Sequence, residues 1–188
     1  MIITLNSFTM KTFKKSVLLT GLVIFLVSFL APTFAQEIPK LSDAEIASVA
    51  VVANQNDINF ANIALKKSKD PQVIEFAKTM ITDHQSVINM AVALVTKLKV
   101  TPKDNAVSKQ YLANAKTTMN MLNSKSGKAF DKAYVDNEVT YHKAVIAAVN
   151  TVLIPQAKNA ELKALLEKVV PILNTHLKHA EMLQSQLK

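Results

Sequence analysis

The chain has 188 residues and a formal net charge of +8, carried by lysine alone because it contains no arginine. It lacks tryptophan as well, and without arginine forks or large stacking side chains we expect no nucleic acid partner. The absence of cysteine excludes disulfides, thiolate metal ligands and a lipid anchor. Only two glycines are present, too few for a sheet-rich protein, so the composition predicts an all-helical domain.

Residues 1–35 have the parts of a secretory signal peptide. Three lysines within 11–15 precede an apolar run over 17–30, and Ala35 ends an acceptable cleavage site. The run is shorter than the about 20 apolar residues that a membrane-spanning helix needs. We therefore expect a periplasmic or secreted mature chain over 36–188, folded as one domain, with no stable membrane insertion after cleavage.

Two helices are predicted in the first half of the mature chain. Ser42 and Glu45 form a capping box ahead of the first helix, which should end just before Asp70. Asp70 then caps the second helix, and Pro71 occupies its first position, where a missing N–H does no harm. This second helix should extend to about Lys99.

Three further helices follow a loop that contains a proline. A short one is expected over about 109–122 and a longer one over about 129–154, where Pro155 should end it. The last helix is expected over about 160–187, with a kink at Pro171. The pattern predicts an antiparallel four-helix bundle with an additional short helix.

Five titratable side chains interrupt the apolar helix faces: Asp57, His84, Glu138, His142 and His176. Burying such groups without partners costs roughly 2–7 kcal/mol each, so a stable fold must bring them together, hydrate them or bind something to them. Three imidazoles and a carboxylate suit one ion of zinc, copper or iron. The five residues are therefore a candidate metal site, or alternatively a hydrogen-bonded cluster that only fixes packing.

Helix lengths test whether these side chains can meet. Asp57 and His84 lie 13 and 14 residues from Asp70, so a turn there places them at nearly the same height. His142 and His176 lie 12 and 16 residues from the facing ends of their helices, an axial mismatch of about 6 Å. We therefore predict that the four residues lie in a common layer. The heights of His142 and His176 agree less well than those of Asp57 and His84.

Three segments resemble the signature of a known family. They are Met80–His84, Phe130–Val135 leading into His142, and Pro171–Leu177. In combination they resemble the family called domain of unknown function 4142 over almost the whole mature chain. The resemblance implies a ferritin-like helical bundle, usually exported in bacteria, without an established activity. It also implies that the three histidines of these segments are the family's histidine positions.

A ferritin-like redox enzyme is the least favoured function. A di-iron site needs a Glu from each of two helices and two Glu-x-x-His pairs, and this chain has no Glu-x-x-His. Members of the family often carry Glu near Asp57 and Asn59, and an acid at the position of Tyr141. These differences leave fewer carboxylates for a metal.

We therefore favour an exported, non-enzymatic binding or envelope-stress protein over a structural or interaction bundle whose polar layer only fixes packing. Methionines near histidines, such as Met80 and Met182, suit Cu(I) but are more often core filler. Lysine clusters such as 66–69 leave a weak attraction to anionic envelope surfaces open. The sequence identifies no protein partner, substrate or oligomeric state.

Overall fold

The structure, a computed structural model, describes residues 39–187. The predicted signal peptide lies outside the described residues. The helices are α1 (Asp43–Lys67), α2 (Pro71–Lys97), α3 (Ala106–Asn123), α4 (Gly127–Ala148), α5 (Ile154–Gln156) and α6 (Ala160–Gln186), with a π-helical turn (Val149–Leu153) joining α4 to α5. Within residues 39–187 there is no strand, and no helix there is long and apolar enough to cross a membrane.

Local hydrogen bonds explain where the first helices begin. Ser42 and Glu45 exchange the reciprocal bonds of the predicted capping box. Asp70 Oδ1 accepts a 2.8 Å bond from the N–H of Gln72, and Pro71 is the first residue of α2. Both predicted boundaries are confirmed.

Two boundaries in the second half differ from prediction. α3 begins at Ala106 because the side chain of Asn105 caps it, accepting bonds from the next turn. Pro155 does not end the fourth helix: the N–H of Ile154 bonds to the carbonyl of Val149 in the π-helical turn, and the chain stays helical to Gln156. Pro155 occupies the first turn of α5, where its missing N–H is tolerated.

The four long helices α1, α2, α4 and α6 form the predicted antiparallel bundle. α1 packs on α2 and α4 on α6, while α2 also contacts α6 and α1 contacts α4. The additional helix α3 packs along α1, where Asn56 donates a 3.1 Å hydrogen bond to the carbonyl of Tyr111. Pro171 lies within α6, which is helical on both sides of it.

The core has two parts. The aromatic half lies around the turn between α1 and α2, and its largest members are Phe60, Phe76, Phe130 and Tyr134. The aliphatic half lies at the other end of the bundle, and it contains Ile46, Val49, Val87, Val145, Leu162, Leu166, Val169 and Leu173. Asp57, His84, His142 and His176 each fall between these two sets on their helix, and Glu138 lies one turn before His142, beside the aromatic set. These polar residues therefore form a layer across the middle of the core.

Candidate metal centre

All five predicted site residues meet in this layer and are buried. α1 supplies Asp57, α2 supplies His84, α4 supplies Glu138 and His142, and α6 supplies His176. The centroids of the three imidazole rings lie 5.1, 5.5 and 5.7 Å apart. The helix packing therefore absorbs the axial mismatch that the sequence indicated between α4 and α6.

Hydrogen bonds fix the orientation of the His84 ring. The amide nitrogen of Asn54 donates to the carbonyl of Ala50 at 2.7 Å, so the amide oxygen Oδ1 faces His84. This oxygen lies 2.7 Å from His84 Nδ1 and can only accept, which makes Nδ1 the protonated nitrogen. His84 Nε2 is therefore left as a lone pair directed into the layer.

The other two histidines are held in the same manner. His142 Nδ1 lies 3.0 Å from the backbone carbonyl of Glu138, which can only accept, so Nδ1 is the donor. His176 Nε2 lies 2.9 Å from the carboxylate oxygen Oδ2 of Asp83. This bond makes Nε2 the donor of His176 and leaves Nδ1 as its free lone pair. Outer partners that orient an imidazole in this way are typical of metal ligands.

Five acceptor atoms on the three histidines and Asp57 have no hydrogen-bond partner within the described residues. They are His84 Nε2, His142 Nε2, His176 Nδ1 and both carboxylate oxygens of Asp57, and all five are buried. Asp57 Oδ2 lies 3.4 Å from His84 Nε2 and 3.6 Å from His142 Nε2. Two ligands on a tetrahedral metal with bonds of about 2.1 Å are separated by about 3.4 Å, so these spacings fit a shared ion.

Burial determines the protonation of the histidines. It lowers the pKa of His84 to about 4, against the opposing charge of Asp83. Burial likewise lowers the pKa of His142 and of His176, although the carboxylates of Asp57 and Asp83 oppose it. All three rings are therefore neutral near pH 7, which is the form that binds a metal.

The two buried carboxyls differ in the partners that they face. Burial raises the pKa of Glu138 well above its usual range, and the charge of Asp57 raises it further. Burial also raises the pKa of Asp57, but His142 and His176 oppose this effect. Asp57 is therefore the better anionic ligand, and Glu138 is a neutral acid whose Oε2 lies 3.5 Å from His142 Nδ1.

Sequence reasoning missed two residues of this layer, Asn54 and Asp83. Neither residue interrupts the apolar face of its helix. The side chain of Asp83 is 42% exposed, and Asn54 forms a hydrogen bond to its own helix as well as to His84. The adjacency of Asp83 to His84 was the available signal. The fourth histidine of the chain, His179, lies outside the layer, with its ring half-buried edge-on against Phe76 at 5.0 Å.

Together these features define a ferritin-like helical bundle with a buried layer of histidines and carboxylates. The chain belongs to the family described as domain of unknown function DUF4142, whose model matches residues 30–183. This confirms the family indicated by the three sequence segments. No curated protein matches the sequence significantly.

Two solved structures share the fold. One is a DUF305 protein from Streptomyces coelicolor that is thought to be secreted, with 13% identity, a TM-score of 0.65, and coverage of 77% of this chain and 93% of that one. The other is CopM in its Cu(II)-bound form, with 14% identity, a TM-score of 0.59, and coverage of 78% of this chain and 98% of that one. At these identities the similarity establishes the fold alone.

Proposed function

We propose that this protein binds one divalent transition-metal ion in the central layer. The ligand atoms are His84 Nε2, His142 Nε2, His176 Nδ1 and Asp57 Oδ2. The observation that carries the proposal is the hydrogen-bond pattern: each histidine has one ring nitrogen bonded to an outer acceptor, and its other nitrogen is buried in the layer without a partner within the described residues. A layer built only for packing would gain by turning some of these donors inward, since buried acceptors need partners.

Copper(II) and zinc(II) suit this donor set best. Imidazole nitrogen with one carboxylate favours the later first-row ions, and copper(II) has the highest affinity among the divalent ions for such sites. The Cu(II)-bound form of CopM supports this choice through its similar fold. Iron(II) is the third candidate. The chain has no Glu-x-x-His, and this supports a binding role rather than di-iron catalysis.

The compartment proposed for this role is the periplasm or the exterior. The basic N-terminal segment, its apolar run and the cleavage site at Ala35 support export. Intact-mass analysis of the protein from its native envelope should give a chain that begins at Gln36. Recovery of the stable protein as uncleaved precursor in the membrane would refute this part of the proposal.

Direct metal titration tests the function. Protein without a histidine tag should bind one equivalent of Cu(II) or Zn(II) and gain thermal stability, because an ion that binds only the folded state stabilises it. His84→Ala should lose both effects. His179→Ala is the matched control, because His179 contacts Phe76 outside the layer and its loss should leave metal binding unchanged.

A structural role for the layer is the second candidate. Glu138 and Asp57 are both buried with raised pKa values, and a proton held between them or on Asp57 would provide partners without a metal. Nitrogen-15 NMR distinguishes the two functions. Both require Nδ1–H on His84 and His142 and Nε2–H on His176, but only metal binding shifts the three inward nitrogens together when Zn(II) is added.

A further inference from the structure

An apolar channel leads from the polar layer to the far end of the bundle. It lies within the aliphatic half of the core, and its inner end is formed by Asp57, His84 and His142. Most of its walls are valine, leucine and alanine, and Asn54, Tyr111 and Tyr141 also line it. A second cavity at the bundle end shares Ala47, Leu94, Val95 and Leu162 as wall residues with the first, so the two are neighbours.

The dimensions of the channel restrict what it can hold. The cavity has about 50 Å³ open to the centres of water molecules. Its lining on α1 extends from Ala47 to Asp57, which is about 15 Å at 1.5 Å per residue. Spread evenly over that length, and with a water radius of about 1.4 Å added, this volume would correspond to a mean radius of about 2.4 Å. An unbranched hydrocarbon chain has about this radius.

Small side chains create this space. Ala47, Ala50 and Ala53 lie along the channel side of α1, and Ala91 faces them from α2. The π-helical turn Val149–Leu153 also borders the channel, and such turns are frequent at functional sites. The corresponding positions of the aromatic half carry Phe60 and Phe76, which fill the core.

We infer that the channel binds one linear acyl chain, with its carboxylate as a fifth ligand of the metal ion and its hydrocarbon along the aliphatic half. The inference rests on the proposed function. At the inner end of the channel, Asp57, His84 and His142 have acceptor atoms without a hydrogen-bond partner within the described residues, so the metal-free layer disfavours a carboxylate there, whereas an ion held by these three residues attracts one. Acyl binding is therefore metal-dependent.

The test is calorimetric titration of decanoate into metal-free and Zn(II)-loaded protein. Decanoate should bind the loaded form at least tenfold more tightly, and each methylene added between hexanoate and decanoate should tighten binding about fourfold. Methyl decanoate has no ionised carboxylate and should gain nothing from Zn(II). Equal affinity of decanoate for the two forms would overturn the inference while leaving the metal site intact.

Two variants test the location. Ala91→Phe fills the channel and should weaken decanoate binding at least tenfold with Zn(II) affinity unchanged, whereas Ala93→Phe, on the exposed side of α2, should change neither. If Ala91→Phe fails to fold, Ala50→Leu blocks the same channel from α1. Unchanged decanoate affinity in the blocked variant would overturn the inference. Failure of Zn(II) itself to bind would overturn the proposed function, and the inference with it.

Discussion

The two halves of the core are filled by different kinds of side chain. In the aromatic half, Phe60, Phe76, Phe130 and Tyr134 are 0–1% exposed. The ring of Phe76 on α2 packs edge-on against that of Tyr134 on α4, which stacks on Phe130. In the aliphatic half the corresponding positions carry valine, leucine and alanine, and both cavities described above border it. Helix packing alone therefore does not determine where space remains.

This difference suggests that one half of the bundle mainly supports stability and the other provides space beside the polar layer. The aromatic half is filled, so it holds α1, α2, α4 and α6 in register at one side of the polar layer. The aliphatic half contains the cavity that Asp57, His84 and His142 border on the opposite side of the layer. The proposed metal site thus lies between a filled half and a half with free space.

Truncating a large side chain in each half should give unequal losses. Phe76→Ala removes a fully buried ring that contacts Tyr134 and His179, and should lower the free energy of unfolding by about 3–5 kcal/mol. Leu166→Ala should lower it by about 2 kcal/mol, because part of the Leu166 surface already borders a cavity. Denaturant unfolding measures both values, and equal losses would contradict the comparison.

The polar layer should make stability depend on pH. His84 has a pKa of about 4 in the folded protein and about 6.5 unfolded, so the unfolded chain binds more protons between these values. Without metal, this term should lower the free energy of unfolding by about 1.4 kcal/mol per pH unit as pH falls from 6.5 to 4. His142 and His176 have lowered pKa values and add to the effect.

The carboxyls of the layer oppose this slope, which provides a control. Glu138 and Asp57 have raised pKa values, so they keep protons in the folded state that the unfolded chain has lost, and their contribution to stability falls as pH rises. Asp83, the charged neighbour on α2, opposes the lowering of the His84 pKa. Glu138→Gln removes one opposing group, so the loss of stability in acid should become steeper. A weaker dependence of the free energy of unfolding on pH in this variant would contradict the proton assigned to Glu138.

Within the layer, losses should couple rather than add. His84→Ala and His142→Ala should each cost about 1–3 kcal/mol without metal, since each leaves a buried partner unpaired. Both rings face Asp57 Oδ2, so the double variant should deviate from additivity by roughly 0.5–3 kcal/mol. The pair of His84→Ala with His179→Ala should add, because His179 contacts Phe76 rather than the layer. Additivity in both pairs would indicate that no connected site exists.

The smallest change in stability should come from enlarging a buried alanine. Ala77 and Ala91 lie on the same face of α2, where Ala77 belongs to the aromatic half and Ala91 lines the cavity of the other half. Ala77→Leu should overpack a filled core and cost about 1–3 kcal/mol. Ala91→Leu should cost less than about 1 kcal/mol or stabilise the protein, because it enters the channel. Thermal unfolding of the two variants compares the halves directly, and the reverse order would exclude the channel.

Local signals in the sequence predicted most of the fold. The capping box at Ser42 and the Asp70-Pro71 pair each act within one helical turn, so their residues alone determine where α1 and α2 begin. Pro155 was misjudged because the π-helical turn before it depends on packing at the end of α4 and not on the proline. The five polar residues of the layer were recognisable because each interrupts an apolar face.

The amino-acid sequence by itself determined the helices, their order and the height at which polar residues meet, since these follow from caps, periodicity and a constant rise per residue. Only the tertiary structure decided which nitrogen of each histidine faces inward. That choice depends on Asn54, the carbonyl of Glu138 and Asp83, and for His84 and His176 the partner lies on a neighbouring helix. The tertiary structure also decided the channel, because its width depends on how side chains from five helices interdigitate, and no single helix encodes that distance.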